Sequence, residues 1–112
     1  MILILSTFTV VKKHSIMDYT ITHNESRKRF EISLDGKTAY VKYELFDGGI
    51  AYMHTIVPAE LEGKGIASAL AKYVLDYAKN NGLKVKPYCP FINAYIDRHP
   101  EYQENSLFHT KH

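Results

Sequence analysis

The sequence predicts an α+β domain: a mixed, mostly antiparallel sheet with one parallel β-α-β crossover and a short second helix. Three observations carry this reading. Two Asp-Gly pairs, Asp35-Gly36 and Asp47-Gly48, divide alternating apolar segments into a meander. After Gly65 the apolar period changes from two to three and four. A second apolar stretch of strand character then follows the helix, at residues 83–89.

In Arg29–Leu34, Phe30, Ile32 and Leu34 share one parity while Arg29, Glu31 and Ser33 take the other. In Lys37–Phe46, Val41, Tyr43 and Leu45 oppose Lys42 and Glu44. Asp-Gly favours the positive φ angles of tight hairpin turns, so these two segments and residues 50–57 should form three antiparallel strands. A shorter strand at residues 19–22 is expected before them. Pro58 ends the third strand. From Gly65 onward Ile66, Leu70, Val74 and Tyr77 recur at helical spacing, with Ala67, Ala71 and Ala78 beside them and Ser68, Lys72, Asp76 and Lys79 opposite. Small alanines on the inner side let such a helix lie close against a sheet, and Asn80-Asn81-Gly82 closes it. A strand at residues 83–89 and a short helix at 91–98 complete the order. Strand, helix and strand in succession make a right-handed crossover, so residues 50–57 and 83–88 should run parallel.

The 112 residues hold one domain. Its expected bounds are 18–104, with an N-terminal extension at 1–17 and a tail at 105–112. The apolar run at residues 1–11 falls short of the roughly 20 residues a membrane helix needs. It also lacks the leading positive charge and small-residue end of a signal peptide. Either residues 1–16 are dispensable, as an upstream start, or they add a strand. The mass of the native N-terminus distinguishes the two. A net charge of +2 gives no footprint for nucleic acid. One cysteine, Cys89, allows neither an internal disulfide nor a multi-cysteine zinc site, which points to a reducing, cytoplasmic setting. No His, Asp and Glu spacing suits a metal. The basic run Arg27-Lys28-Arg29 reads as a solvated strand end.

The segment from Val57 to Ala67 joins a strand to a helix and carries Gly63-Lys64-Gly65. A helix N-terminus presents unpaired N–H groups and the positive end of a dipole, which suits a phosphate. Glycines there remove the side chains that would keep a diphosphate away. The turn lacks the third glycine of a dinucleotide fingerprint and the length of a P-loop. Taken alone it reads more readily as a flexible loop before a helix.

From Glu60 to Gly65 and on into Ile66-Ala67, the turn resembles the Gln/Arg-x-x-Gly-x-Gly/Ala pattern of GNAT superfamily N-acetyltransferases. The likeness to the small YjdJ-type branch extends over His54-Thr55-Ile56-Val57-Pro58, Pro87-Tyr88-Cys89-Pro90-Phe91 and Arg98-His99-Pro100-Glu101-Tyr102. What the resemblance implies is an acyl-CoA N-acyltransferase-like fold, with acetyl-coenzyme A as cosubstrate and a small amine or peptide as acceptor. Cofactor contacts would fall on Ile56, Val57, Gly63, Lys64, Gly65, Ile66, Ala67 and Phe91. The pattern departs at Glu60, which replaces Gln or Arg. Glu60 and Glu62 should point to solvent if the grip is through backbone.

Free cysteines are commonly buried and inert. The resemblance makes Cys89 a candidate for an acetyl-enzyme intermediate. His54, on the neighbouring strand and of one parity with Tyr52 and Ile56, is the candidate base, for direct transfer or for activating the thiol. Tyr95 fits the position of a general acid poorly and reads as a packing or cofactor-contact residue. The predicted activity is therefore N-acetylation, with a coenzyme A-binding module of little turnover as the alternative. A third reading is an interaction domain that has lost its ligand.

Overall fold

The computed structural model describes residues 19–109, so the extension read at 1–17 lies outside the described residues, as do residues 110–112. Five strands form one sheet in the order β1-β2-β3-β4-β5: β1 Thr22–Asn24, β2 Arg29–Leu34, β3 Lys37–Phe46, β4 Gly49–Ile56 and β5 Lys84–Pro87. The first three pairings are antiparallel. The last, β4 with β5, is parallel, with helix α1 (Ile66–Asn80) between them in the chain. Helix α2 (Pro90–Arg98) follows β5, and short 3-10 turns occupy Ala59–Leu61 and Pro100–Asn105. This is the mixed, mostly antiparallel sheet with a crossover and second helix that the sequence predicts.

Both Asp-Gly turns form as expected, Gly36 at φ 77° and Gly48 at φ 86°. The early strand is displaced from residues 19–22 to Thr22–Asn24. The hairpin with β2 sets this register, because the Asn24 side chain accepts hydrogen bonds from Ser26 and the Arg27 N–H in the turn. His23 then faces inward and stacks on Phe30 at 4.2 Å, so a polar residue fills a place that hydropathy would not assign to it. Strand β5 is shorter than residues 83–89. Pro87 has no N–H to give, and Tyr88 turns back to donate to the Lys86 carbonyl at 3.0 Å.

The core lies between one face of the sheet and the two helices. Phe30, Ile32, Val41, Ile50 and Tyr52 meet Ile66, Leu70 and Val74 of α1 and Ile92 and Ile96 of α2, all essentially without solvent exposure. Each such burial contributes about 1.5–3 kcal/mol. The alanines Ala71 and Ala78 are fully buried, which is the close helix approach their size permits. Tyr52 crosses the core to donate its hydroxyl proton to the Val74 carbonyl at 2.5 Å. Residues 105–109, read as tail, are part of the packed domain. Ser106 is fully buried in a parallel bridge to Val85, and the Leu107 N–H donates to the Val85 carbonyl at 2.9 Å. No helix among the described residues is long and apolar enough to cross a membrane.

Burial pushes the Tyr52 hydroxyl well above the ordinary 10.0 and also raises Tyr102, which donates to Asp76 at 2.6 Å. A raised pKa in the folded state means that the stability it contributes is complete below pH 10 and lost as pH climbs further. Denaturant midpoints should therefore be flat up to about pH 10 and fall above it. In Tyr52→Phe with Tyr102→Phe the alkaline fall should be shallower, although the midpoint starts lower for want of the two hydrogen bonds. An unchanged alkaline slope in the double variant would remove these hydroxyls as the cause.

Candidate functional site

The end of β4 and the start of α1 build one concave corner. Leu61, 1% exposed, anchors the 3-10 turn that follows Pro58. The chain then passes through Gly63 at φ 80° and Gly65 at φ 75°, left-handed conformations that favour glycine. Gly65 is the N-cap of α1 and provides no side-chain cap. The first bond of the helix is donated by the Ala69 N–H to the Gly65 carbonyl at 3.0 Å. The N–H groups of Ile66, Ala67 and Ser68 precede that ladder, so they have no acceptor within the helix. They stand at the positive end of a four-turn dipole.

These groups border a cleft of about 280 Å³ lined by Val57, Gly63, Gly65, Ile66, Ala67 and Phe91. The structure thus gathers most of the residues expected to contact a cofactor around one opening. Two stand apart from its lining. Lys64 is exposed, and its carbonyl is held by the Tyr19 hydroxyl at 2.5 Å. Ile56 is 45% exposed and pairs with Tyr40. Of the two acids, Glu60 turns away to Lys37 at 3.6 Å, whereas Glu62 is exposed yet also borders the cleft. A groove of about 300 Å³ along α1, lined by Tyr73, Lys72, Asp76 and Tyr95, shares Ser68 with the cleft but lacks the glycine turn.

Beside the cleft the two parallel strands part. Pairing of β4 with β5 runs from Gly49 opposite Lys84 to Tyr52 opposite Pro87. One more link follows, from the Cys89 N–H to the Tyr52 carbonyl at 2.9 Å. Beyond it β4 continues to Ile56 with no β5 residue opposite, leaving a strand edge whose main-chain groups can bond a ligand laid along it.

At this point β4 also carries a bulge. Lys42 is opposite His54 and Tyr43 is opposite Tyr52, so Met53 is an extra residue on β4. The bulge reverses the alternation. Tyr52 and Thr55 face the helices with Tyr43 and Val41, while His54 lies on the other face with Lys42. The parity shared by His54 and Tyr52 in the sequence is therefore not a shared face.

Cys89, 3% exposed, sits where the strands part and is the N-cap of α2. Its Sγ lies 3.1 Å from Thr55 Oγ1, so the structure brings Thr55 rather than His54 to the thiol. His54 is exposed on the outer side of the gap. Tyr95, 8% exposed, stacks on His99 at 3.9 Å. Asn93, on α2, was not apparent from the sequence: its Oδ1 is buried without a hydrogen-bond partner among the described residues. An unmatched buried acceptor costs about 1–3 kcal/mol. No group of three His, Cys, Asp or Glu side chains among the described residues could hold a metal.

Comparison with known proteins agrees with this architecture. The sequence profile of the GCN5-related N-acetyl-transferase family matches residues 29–105. Protein NATD1 of Mus musculus is 34% identical over 83 residues, covering 71% of this chain and 76% of that protein. Protein NATD1 of Xenopus tropicalis is 30% identical over 97 residues, 78% of this chain and 89% of its own. The NMR solution structure of a GCN5-like protein from Staphylococcus aureus superposes with a TM-score of 0.65 at 30% identity, covering 84% of this chain and 92% of that one.

Proposed function

The chain belongs to the GCN5-related N-acetyl-transferase family, and from that premise we propose that it moves an acetyl group from acetyl-coenzyme A to an amine. The observation that carries this reading is the bare helix start. The N–H groups of Ile66, Ala67 and Ser68, with two left-handed glycines before them, open on a cleft that continues to the parted strands. A diphosphate is the ligand such a corner suits. The free edge of β4 offers its main chain to the amides of a pantetheine arm. Phe91 supplies an apolar wall.

Acetyl-coenzyme A supplies the activated thioester. A backbone N–H near Val57, at the end of β4, would polarise its carbonyl oxygen. His54, on the outer side of the gap, takes the proton from the incoming ammonium. The freed amine nitrogen then bonds to the acetyl carbon, the carbon–sulfur bond breaks, and the departing thiolate collects a proton. Direct transfer of this kind uses the two faces of the bulged strand separately. Cofactor lies on the helix side and acceptor on the other.

A second route is favoured by the position of Cys89 at the point where the strands part. Its sulfur would take the acetyl group, the coenzyme thiolate leaving with the thiol proton, and the amine would displace the sulfur afterwards. Release of free thiol from acetyl-coenzyme A, screened over polyamines, amino acids and peptide N-termini, tests the activity itself. Absence of release alongside tight cofactor binding leaves a coenzyme A-binding module. For direct transfer, His54→Ala should lower turnover by about a hundredfold, within the usual range for a general base. Cys89→Ala should stay within a few-fold of wild type. A gain of one acetyl group in the intact mass of wild type but not of Cys89→Ala, with turnover lost in that variant, would establish the acetyl-cysteine route instead.

A further inference from the structure

The cofactor reading leaves the opposite face of the sheet to the acceptor, and that face has a charge pattern of its own. Both helices pack on the side of Phe30, Val41, Tyr43, Tyr52 and Val85. The other side presents Arg29, Glu31, Lys42, Glu44, Lys84 and Lys86, with His54 among them. Its two acids are already engaged. Glu31 binds Arg29 at 2.7 Å and Glu44 binds Lys28 at 3.3 Å. Lys42, Lys84 and Lys86 have no carboxylate within bonding distance among the described residues.

Two of these ammonium groups are held in place by other means. Lys42 donates to the Arg27 carbonyl at 3.1 Å, and Lys86 lies over the Phe46 ring at 4.3 Å from its centroid. Lys42 is the cross-strand partner of His54, and Lys86 is opposite Ala51 just before the strands part. Lys42 and Lys86 thus leave the backbone beside the gap, and their ammonium groups extend the unmatched positive charge from there along the sheet towards Arg27 and Phe46. Among the described residues both helices lie on the other side, which leaves this face to an extended chain laid across it.

We propose that the acceptor is a peptide bearing carboxylates close to its reactive amine, and that Lys42 and Lys86 receive those carboxylates while His54 meets the amine. This rests on the acetyl-transfer reading above, and binding is measured apart from the cofactor so that the two can fail separately. The probe is a short fluorescent peptide with a free N-terminal amine followed by glutamates, compared with the same peptide carrying glutamines or lysines. Fluorescence anisotropy should show the glutamate peptide binding roughly tenfold more tightly than the glutamine one at low salt, as two exposed ion pairs allow. The preference should shrink with added salt. Lys42→Glu with Lys86→Glu should abolish it, and the milder Lys42→Gln with Lys86→Gln should reduce it. Both lysines are half-buried, and unchanged melting temperatures would confirm that the variants fold. Equal binding of the three peptides, a preference for the lysine peptide, or a preference that survives both double variants would overturn the proposal. Any of these results stands whether or not coenzyme A binds. Loss of cofactor binding alone would strike the acetyl-transfer reading and leave the peptide preference intact.

Discussion

Gly65→Val is expected to lower coenzyme A affinity by at least about a hundredfold. Gly65 is at φ 75° and ψ 12°, where a β-branched residue is strained by about 1–2 kcal/mol. Relief of that strain draws the chain out of the left-handed region and swings the N–H groups of the first helical turn off the cleft. Each charge-assisted hydrogen bond to a phosphate contributes about 1.5–3 kcal/mol, so losing two of them accounts for the fall. Glu62 at the cleft margin makes the site less forgiving, because its charge opposes the dipole that remains. Gly65→Asn separates strain from obstruction. Asparagine tolerates the left-handed conformation, so that variant should melt close to wild type yet still bind weakly, its side chain occupying the approach to the amides. Calorimetric titration and thermal melting of both variants check this. Wild-type affinity in Gly65→Val would place the phosphate elsewhere.

Gly49→Ala carries the largest expected effect on stability. A Cβ at this position would lie 2.2 Å from the Phe46 ring and 2.5 Å from the Lys84 carbonyl oxygen. The ring can swing, but the carbonyl belongs to β5, whose Lys84 N–H also donates to the Gly48 carbonyl at 3.0 Å. To admit the methyl group, β5 must move away from β4 at the start of their parallel pairing. Overpacking of this kind costs about 3 kcal/mol. For a chain of this length that is a melting temperature lower by roughly 10–20 °C. Adding Phe46→Leu should recover less than half of the loss, because it relieves the ring contact and not the carbonyl one. A melting temperature within a couple of degrees of wild type would show that the strands have slack here.

Legibility of the structure in the sequence follows the range of the forces involved. Strands β2 and β3 and helix α1 were readable because turn chemistry and apolar period are local, and in these segments they agree with the packing. The glycine turn was readable for the same reason, since Gly63, Gly65, Ile66 and Ala67 lie within five consecutive residues and the proposed role belongs to the main chain. What was not readable depends on distant partners. His23 packs at the core margin through Phe30 and Tyr43, and nothing in its own neighbourhood marks it. Lys64 is tethered by Tyr19, 45 residues away. The bulge at Met53 is a property of register between two strands, so the sequence shows Tyr52 and His54 on one parity while the fold puts them on opposite faces. Thr55 and Asn93 gain their interest only from what lies beside them, the Cys89 thiol in one case and an unmatched buried oxygen in the other.

The account turns on a single property, the capacity of unpaired main-chain donors at one strand-to-helix corner to hold a diphosphate. Calorimetric titration of the wild-type chain with coenzyme A, and separately with dephosphorylated pantetheine, measures it most directly. A saturable heat for coenzyme A with affinity at least about tenfold above that of pantetheine is the predicted result. No heat at millimolar coenzyme, or equal affinity for the two ligands, would contradict it.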